Sequence, residues 1–137
     1  MKLKKVEEAF LQYSRVSRVA TGDARGLPHV VPVCHLWEKG RVYFGTGRKT
    51  KKIRNLLENA QVALIVDDYT EAWSHLRGLV LQGRAEVIGP GAEFRRIRKL
   101  LYQKFPQYEE EAHLKSADAV MVRIVPTKVF SWGLGRQ

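Results

Sequence analysis

A proline stands inside an otherwise apolar, strand-like run, Pro28-His29-Val30-Val31-Pro32-Val33-Cys34-His35-Leu36-Trp37. Proline has no N–H to give to a ladder. Pro32 therefore confines its strand to an edge, to a bulge, or to a place where a ligand stands in for the neighbouring strand. Turn residues flank the run: Gly22-Asp23-Ala24-Arg25-Gly26 comes before it and Glu38-Lys39-Gly40 after it. Both read as hairpin signals, so antiparallel neighbours are expected.

The segment that follows carries the chemistry. Arg41 to Gly45 is a strand, Gly45-Thr46-Gly47 a tight turn, and Thr50 the N-cap of a helix with Ile53, Leu56, Leu57 and Ala60 on one face. The Thr50 oxygen is placed to accept from one first-turn amide, which leaves the others pointing outward at the positive end of the helix dipole. Lys51 and Lys52 add two charges there. Such a place satisfies a phosphate, although a capped surface helix with solvated lysines has the same pattern. The spacing lacks the Gly-Lys-Ser/Thr of a nucleotide-hydrolysing loop.

The remaining elements follow from periodicity. A helix is predicted from about Lys4 to Ser14, with Val6, Phe10 and Tyr13 inward. Arg18 to Thr21, Gln61 to Val66, Leu76 to Ile88 and Ala119 to Val125 read as strands, the last continuing past Pro126 to Trp132. Gly78 and Gly83 are expected to bend the long strand. An amphipathic basic helix spans Ala92 to Phe105, with Phe94, Ile97, Leu100 and Leu101 inward; Pro106 ends it, and Glu109 to Glu111 beyond it read as solvated helix charge. Residues 41–66 could also form a strand–helix–strand unit with parallel strands. Six short, mostly hairpin-connected strands favour an antiparallel barrel in one domain over residues 1–137.

Composition narrows the function classes. The 137 residues carry a net charge of +10, which favours anionic partners. The single cysteine, Cys34, excludes an internal disulfide and a cysteine-based zinc cluster, and its apolar strand suggests a buried structural thiol. The four histidines show no metal-ligand spacing, and no metal is expected. The N-terminus lacks a signal-peptide core and no apolar run is long enough to span a membrane, so a cytoplasmic protein is expected.

In order and spacing the chain resembles the pyridoxamine 5′-phosphate oxidase-like family, the FMN-binding split barrels. The residues that carry the resemblance are Ser17 to Thr21, Pro28 to Val33, Val42 to Thr46, Lys51 to Leu56 and Pro126 to Trp132. It implies a mainly β, six-stranded antiparallel split barrel with helices, forming a homodimer with cofactor sites at the interface, and an apolar surface of Trp37, Trp132 and the strand faces is expected to form that interface. By position it implies that Thr50, Lys51 and Lys52 hold the cofactor phosphate, that Thr46 lies near the phosphate and ribityl chain, and that Val31, Pro32 and Val33 face the flavin ring. His29 and Trp132 are further candidates for contact with the ring, and Trp73 for the substrate pocket. FMN is the expected cofactor. The stretch Val66 to Trp73 is similar to members that use the 8-hydroxy-5-deazaflavin coenzyme instead.

The family's vitamin B6 oxidase places basic side chains on the strand matching Val30–Cys34, and here that strand is apolar. The resemblance therefore implies a flavoprotein oxidoreductase acting on another small molecule. In this reading the cofactor carries the chemistry and the protein supplies binding and orientation. A non-catalytic flavin or haem carrier is the alternative. A nucleic-acid-binding barrel fits the charge, but the strands lack regularly exposed aromatics for base stacking.

Overall fold

The computed structural model describes residues 1–135. Its strands are β1 (Val16–Gly22), β2 (Pro28–Cys34), β3 (Leu36–Glu38), β4 (Arg41–Gly47), β5 (Gln61–Asp68), β6 (Arg77–Ile88) and β7 (Ala119–Trp132). The helices are α1 (Lys5–Tyr13), α2 (Lys51–Glu58), α3 (Ala92–Lys104) and the single turn α4 (Tyr108–Glu111). The strands form one antiparallel sheet in the order β2-β1-β5-β6-β7-β4-β3. No helix among the described residues is long and apolar enough to cross a membrane.

There are seven strands rather than six, because the expected strand from His29 to Trp37 breaks at His35. β2 and β3 are one residue apart in sequence and lie at opposite edges of the sheet. The sheet must curl until its edges come close, and the result is a split barrel closed by the chain itself. β2 is an edge strand, as Pro32 requires. The strands on either side of α2 are not neighbours, so no parallel unit forms there.

The crossing is held from inside. The His35 ring is fully buried; its Nε2–H donates to Leu11 O at 2.9 Å, while Nδ1 has no partner. Lys104 Nζ donates to His35 O at 2.8 Å and to Ser14 O at 2.7 Å, tying the ends of α1 and α3 to the same point.

One apolar core fills the barrel, with Val19, Phe44, Leu64, Leu79, Leu81 and Val122 among its residues. A second lies between α3 and the outer faces of β4 and β7, where Phe94, Ile97 and Leu101 meet Tyr43 and Met121. Each such burial contributes about 1.5–3 kcal/mol. Leu100 is only partly buried, at the margin of this core. The expected bend at Gly83 is a bulge: Gln82 pairs with Lys128 but Gly83 with Pro126, leaving Thr127 over. A Cβ at Gly83 would overlap Val125 O. Pro126, which has no N–H to donate, sits at this irregularity and not in a regular ladder.

Three expectations about faces fail. α1 buries Glu7, Phe10 and Leu11, leaving Val6 and Tyr13 exposed. Glu7 can be buried because it accepts from Lys4 N at 2.8 Å and from Ser131 Oγ at 2.6 Å. Leu57 is exposed at the outer face of α2, while Asn55 takes a place on the buried face with Ile53 and Leu56 and donates to Thr21 Oγ1 at 3.1 Å. Trp37, expected on an apolar surface, is buried, with its indole N–H donating to Glu8.

Burial holds the His35 imidazole neutral, its pKa lowered from 6.5 to about 4, with the Lys104 charge adding to the effect. The unfolded chain therefore binds this proton more tightly. Stability is full above pH 6.5 and is lost as the pH falls towards 4. The loss is about 3 kcal/mol. Urea unfolding across this window should show it, and His35→Gln, which keeps a donor but cannot titrate, should flatten the slope.

Candidate functional site

β4 ends at Gly47, and the chain turns into α2 through Thr50. The Thr50 hydroxyl does not cap the helix as expected. It donates backwards to Gly47 O at 3.1 Å and lies 3.5 Å from Thr46 Oγ1. The first-turn amides therefore have no side-chain acceptor, and the turn contains no acidic residue. This end of α2 keeps its positive character.

Adjacent helix residues diverge by about 100°, and the two lysines part accordingly. Lys51 is exposed and lies towards the β1–β2 turn. There the Asp23 carboxyl is held below its usual range, first by the Leu27 N–H and in smaller part by Lys51. Lys52 is half-buried, makes no ion pair among the described residues, and has its pKa lowered by that burial.

Lys52 reaches a cavity of about 400 Å³, a volume typical of a small-molecule site. The β2 edge lines one part of it, through Pro32, Val33 and Cys34, with Val16 and Gly45 nearby. The corner between α3 and α4 supplies Phe105, Gln107, Tyr108, Glu111 and Ala112. Cys34 is thus partly exposed at a cavity wall, not sealed in the core. Burial, with smaller effects from Cys34 and Tyr102, raises the Tyr108 phenol to about 12, so it stays protonated at neutral pH.

The structure therefore brings Pro32, Val33 and Lys52 to one cavity, and the other expected residues are not in its lining. Thr46, still within β4 where a tight turn was expected, lies 3.5 Å from Thr50 just before α2, and Lys51 is exposed. His29, opposite Thr21, is half-buried, and Val31 packs on the barrel core opposite Val19. Trp132 lies over Gly78, where a Cβ would overlap its indole, and 5.8 Å from Phe130. Trp73 is 71% exposed, its indole N–H donating to Tyr69 Oη at 3.2 Å. Neither tryptophan lines the cavity. The α3–α4 wall was missed in the sequence, where Pro106 marked only a helix end and the glutamates after it only solvated charge. A helix stop followed directly by Tyr108 was the available signal.

An anionic ligand of flavin-phosphate type suits this donor set, with a desolvated, unpaired ammonium and uncapped amides beside an apolar cavity.

The family described as pyridoxamine 5′-phosphate oxidase matches residues 3–133. A 5a,11a-dehydrotetracycline/5a,11a-dehydrooxytetracycline reductase of Streptomyces rimosus is 31% identical over 134 residues, covering 93% of this chain and 81% of that protein. Among solved structures, a FAD-binding protein of Mesorhizobium loti is 25% identical with a TM-score of 0.75, over 94% of this chain and 93% of its own. A protein named F420 reductase is also 25% identical, with a TM-score of 0.73, over 90% of this chain and 94% of its own.

A charge-assisted hydrogen bond is worth about 1.5–3 kcal/mol. Lys52→Ala should weaken FMN binding about tenfold to a hundredfold, and riboflavin binding much less. Lys51→Ala should have the smaller effect. Because burial lowers the Lys52 pKa, FMN affinity should begin to fall at a pH below the ordinary lysine range. Fluorescence titration of both ligands across pH measures all three.

Proposed function

The chain belongs to the pyridoxamine 5′-phosphate oxidase family, and we propose that it is a reductase that holds a flavin-type cofactor, FMN or the 8-hydroxy-5-deazaflavin coenzyme. Its substrate is a small, planar, electron-poor molecule. The observation that carries this reading is the junction of the desolvated Lys52 with the ladder-free edge at Pro32 in one cavity. Lys52 and the first-turn amides of α2 hold the phosphate. The β2 edge lies along the ring, where Pro32 has no N–H to leave unsatisfied. When bound, the cofactor supplies hydride transfer; the chain binds it, orients it and keeps water from its apolar side. We place the protein in the cytoplasm.

The similar proteins support a reductase and leave both cofactors open, since one is named a FAD-binding protein and another F420 reductase. Vitamin B6 oxidation is not proposed, because Val30, Val31 and Val33 give a phosphorylated pyridine no cation along β2.

The proposal includes a homodimer. The ladder registers align Pro32, Arg18, Ile65, Val80 and Phe130 in one row across five strands. Their side chains alternate with buried core residues and so face outward, and Val16 and Val30 beside them are exposed as well. An outward face this apolar suits a second copy of the chain. Light scattering at micromolar concentration should give twice the chain mass; a monomer with cofactor bound would contradict the dimer.

Apolar walls discriminate by only about 1–3 kcal/mol per methylene, so turnover should be broad. Anaerobic reduction of the loaded protein, followed by quinones, enones and nitroaromatics, should show reoxidation above the spontaneous rate. If no acceptor accelerates it, the protein is a carrier and not a reductase.

A further inference from the structure

The α3–α4 corner lines the cavity with three polar side chains, Gln107, Tyr108 and Glu111, and of these Tyr108 is the one packed against other aromatic rings. Tyr108 follows Pro106 and is pinned by its own amide, which donates to Phe105 O at 3.0 Å. Its ring meets Phe105 edge-on, with centroids 6.0 Å apart at 90°, and stacks on Tyr102 at 5.9 Å. The hydroxyl of Tyr102 accepts from Leu114 N at 2.9 Å, so that phenol is satisfied and backs the wall. The hydroxyl of Tyr108 makes no hydrogen bond to any described residue. Cys34, on the same cavity lining, adds in smaller part to the upward push on this phenol.

The ring is packed against Phe105 and Tyr102, which fixes its plane, while the hydroxyl stays open to solvent until a ligand covers it. Tyr108 lines the cavity opposite Val16, Pro32 and Val33, with Phe105 and Ala112 beside it and the side chains of Lys52, Gln107 and Glu111 completing the walls. With the cofactor ring along the β2 edge, a substrate seated between it and the α3–α4 wall covers the hydroxyl, and an unpaired covered donor is unfavourable unless the substrate brings an acceptor. The phenol remains protonated at neutral pH, so it donates and does not attract cations.

We infer that Tyr108 is the specificity-determining residue of the cavity, donating a hydrogen bond to a carbonyl oxygen of the substrate. The substrate class is accordingly planar carbonyl compounds, quinones and enones, in preference to flat molecules without a carbonyl. This inference rests on the reductase reading for the identity of the ligand as substrate, but the recognition itself needs only the cavity.

The test uses the oxidised protein and two probes, chromone, a planar ketone, and naphthalene, a similar outline without an acceptor. A neutral hydrogen bond of ordinary strength predicts that Tyr108→Phe raises the Kd for chromone about fivefold to tenfold and leaves that for naphthalene unchanged. In the unmutated protein the infrared carbonyl band of bound chromone should shift to lower frequency, and in Tyr108→Phe the shift should vanish. Equal chromone affinity in both proteins, or an unshifted band in the unmutated one, overturns the inference. If Tyr108→Phe fails to fold, the band in the unmutated protein decides alone. Cofactor absorbance on the same samples separates the two claims. Bound flavin with no chromone effect overturns this inference and leaves the reductase reading standing. A Tyr108-dependent chromone shift in protein that takes up no flavin upholds the recognition and removes the reductase reading.

Discussion

The fold turns on one buried residue. His35 sends consecutive strands to opposite edges of a seven-stranded sheet, and its imidazole is anchored to Leu11 O inside the barrel. A regular strand through this position would continue β2 into β3 and leave an open, flat sheet. The break makes the sheet curl, and Lys104 secures it by donating to the backbone on both sides, at Ser14 and at His35 itself. The arrangement carries a cost, since the ring is desolvated and its Nδ1 is orphaned. That cost makes the crossing sensitive to acid, while every other strand pair is held by ordinary ladder bonds.

The same break creates the site. A barrel closed by chain continuity, without a ladder between its edges, leaves one side of β2 unpaired. The cavity opens there, between that edge, α2 and the α3–α4 corner. Gly45 on β4 keeps the corner close, because Leu114 occupies the space a Cβ would need. Lys52 enters from α2 with its charge partly stripped of water, a disposition that favours an anion over bulk solvent. Thr50 contributes by absence: its hydroxyl is turned back to Gly47 O, so the amides of α2 remain available.

Much of this was legible in the sequence, and the failures share a cause. Pro32 foretold an edge, Gly83 a bend, and the glycine turn before Thr50 a strand–helix junction, because each depends on local backbone chemistry. The break at His35 was not legible, since apolar residues run on both sides of it and its partner, Leu11, is 24 positions away. The α1 face was misjudged because Glu7 is made burial-competent by Ser131, 124 positions away. The α3–α4 wall was missed for the same reason: Pro106 announces a stop but not that the next turn folds back over β2. Lys52 and Pro32, singled out in the sequence, both line the cavity, while the residues facing them across it became visible only once long-range packing was known.

The central claim is that this cavity holds a flavin-type cofactor through Lys52. The most direct measurement is the absorption spectrum of the protein after incubation with FMN, or with the 8-hydroxy-5-deazaflavin coenzyme, and removal of free ligand by gel filtration. The account predicts that the chain retains one such chromophore, and that Lys52→Ala retains far less under the same conditions. Protein that emerges colourless from both incubations, or that carries a haem spectrum instead, would contradict it.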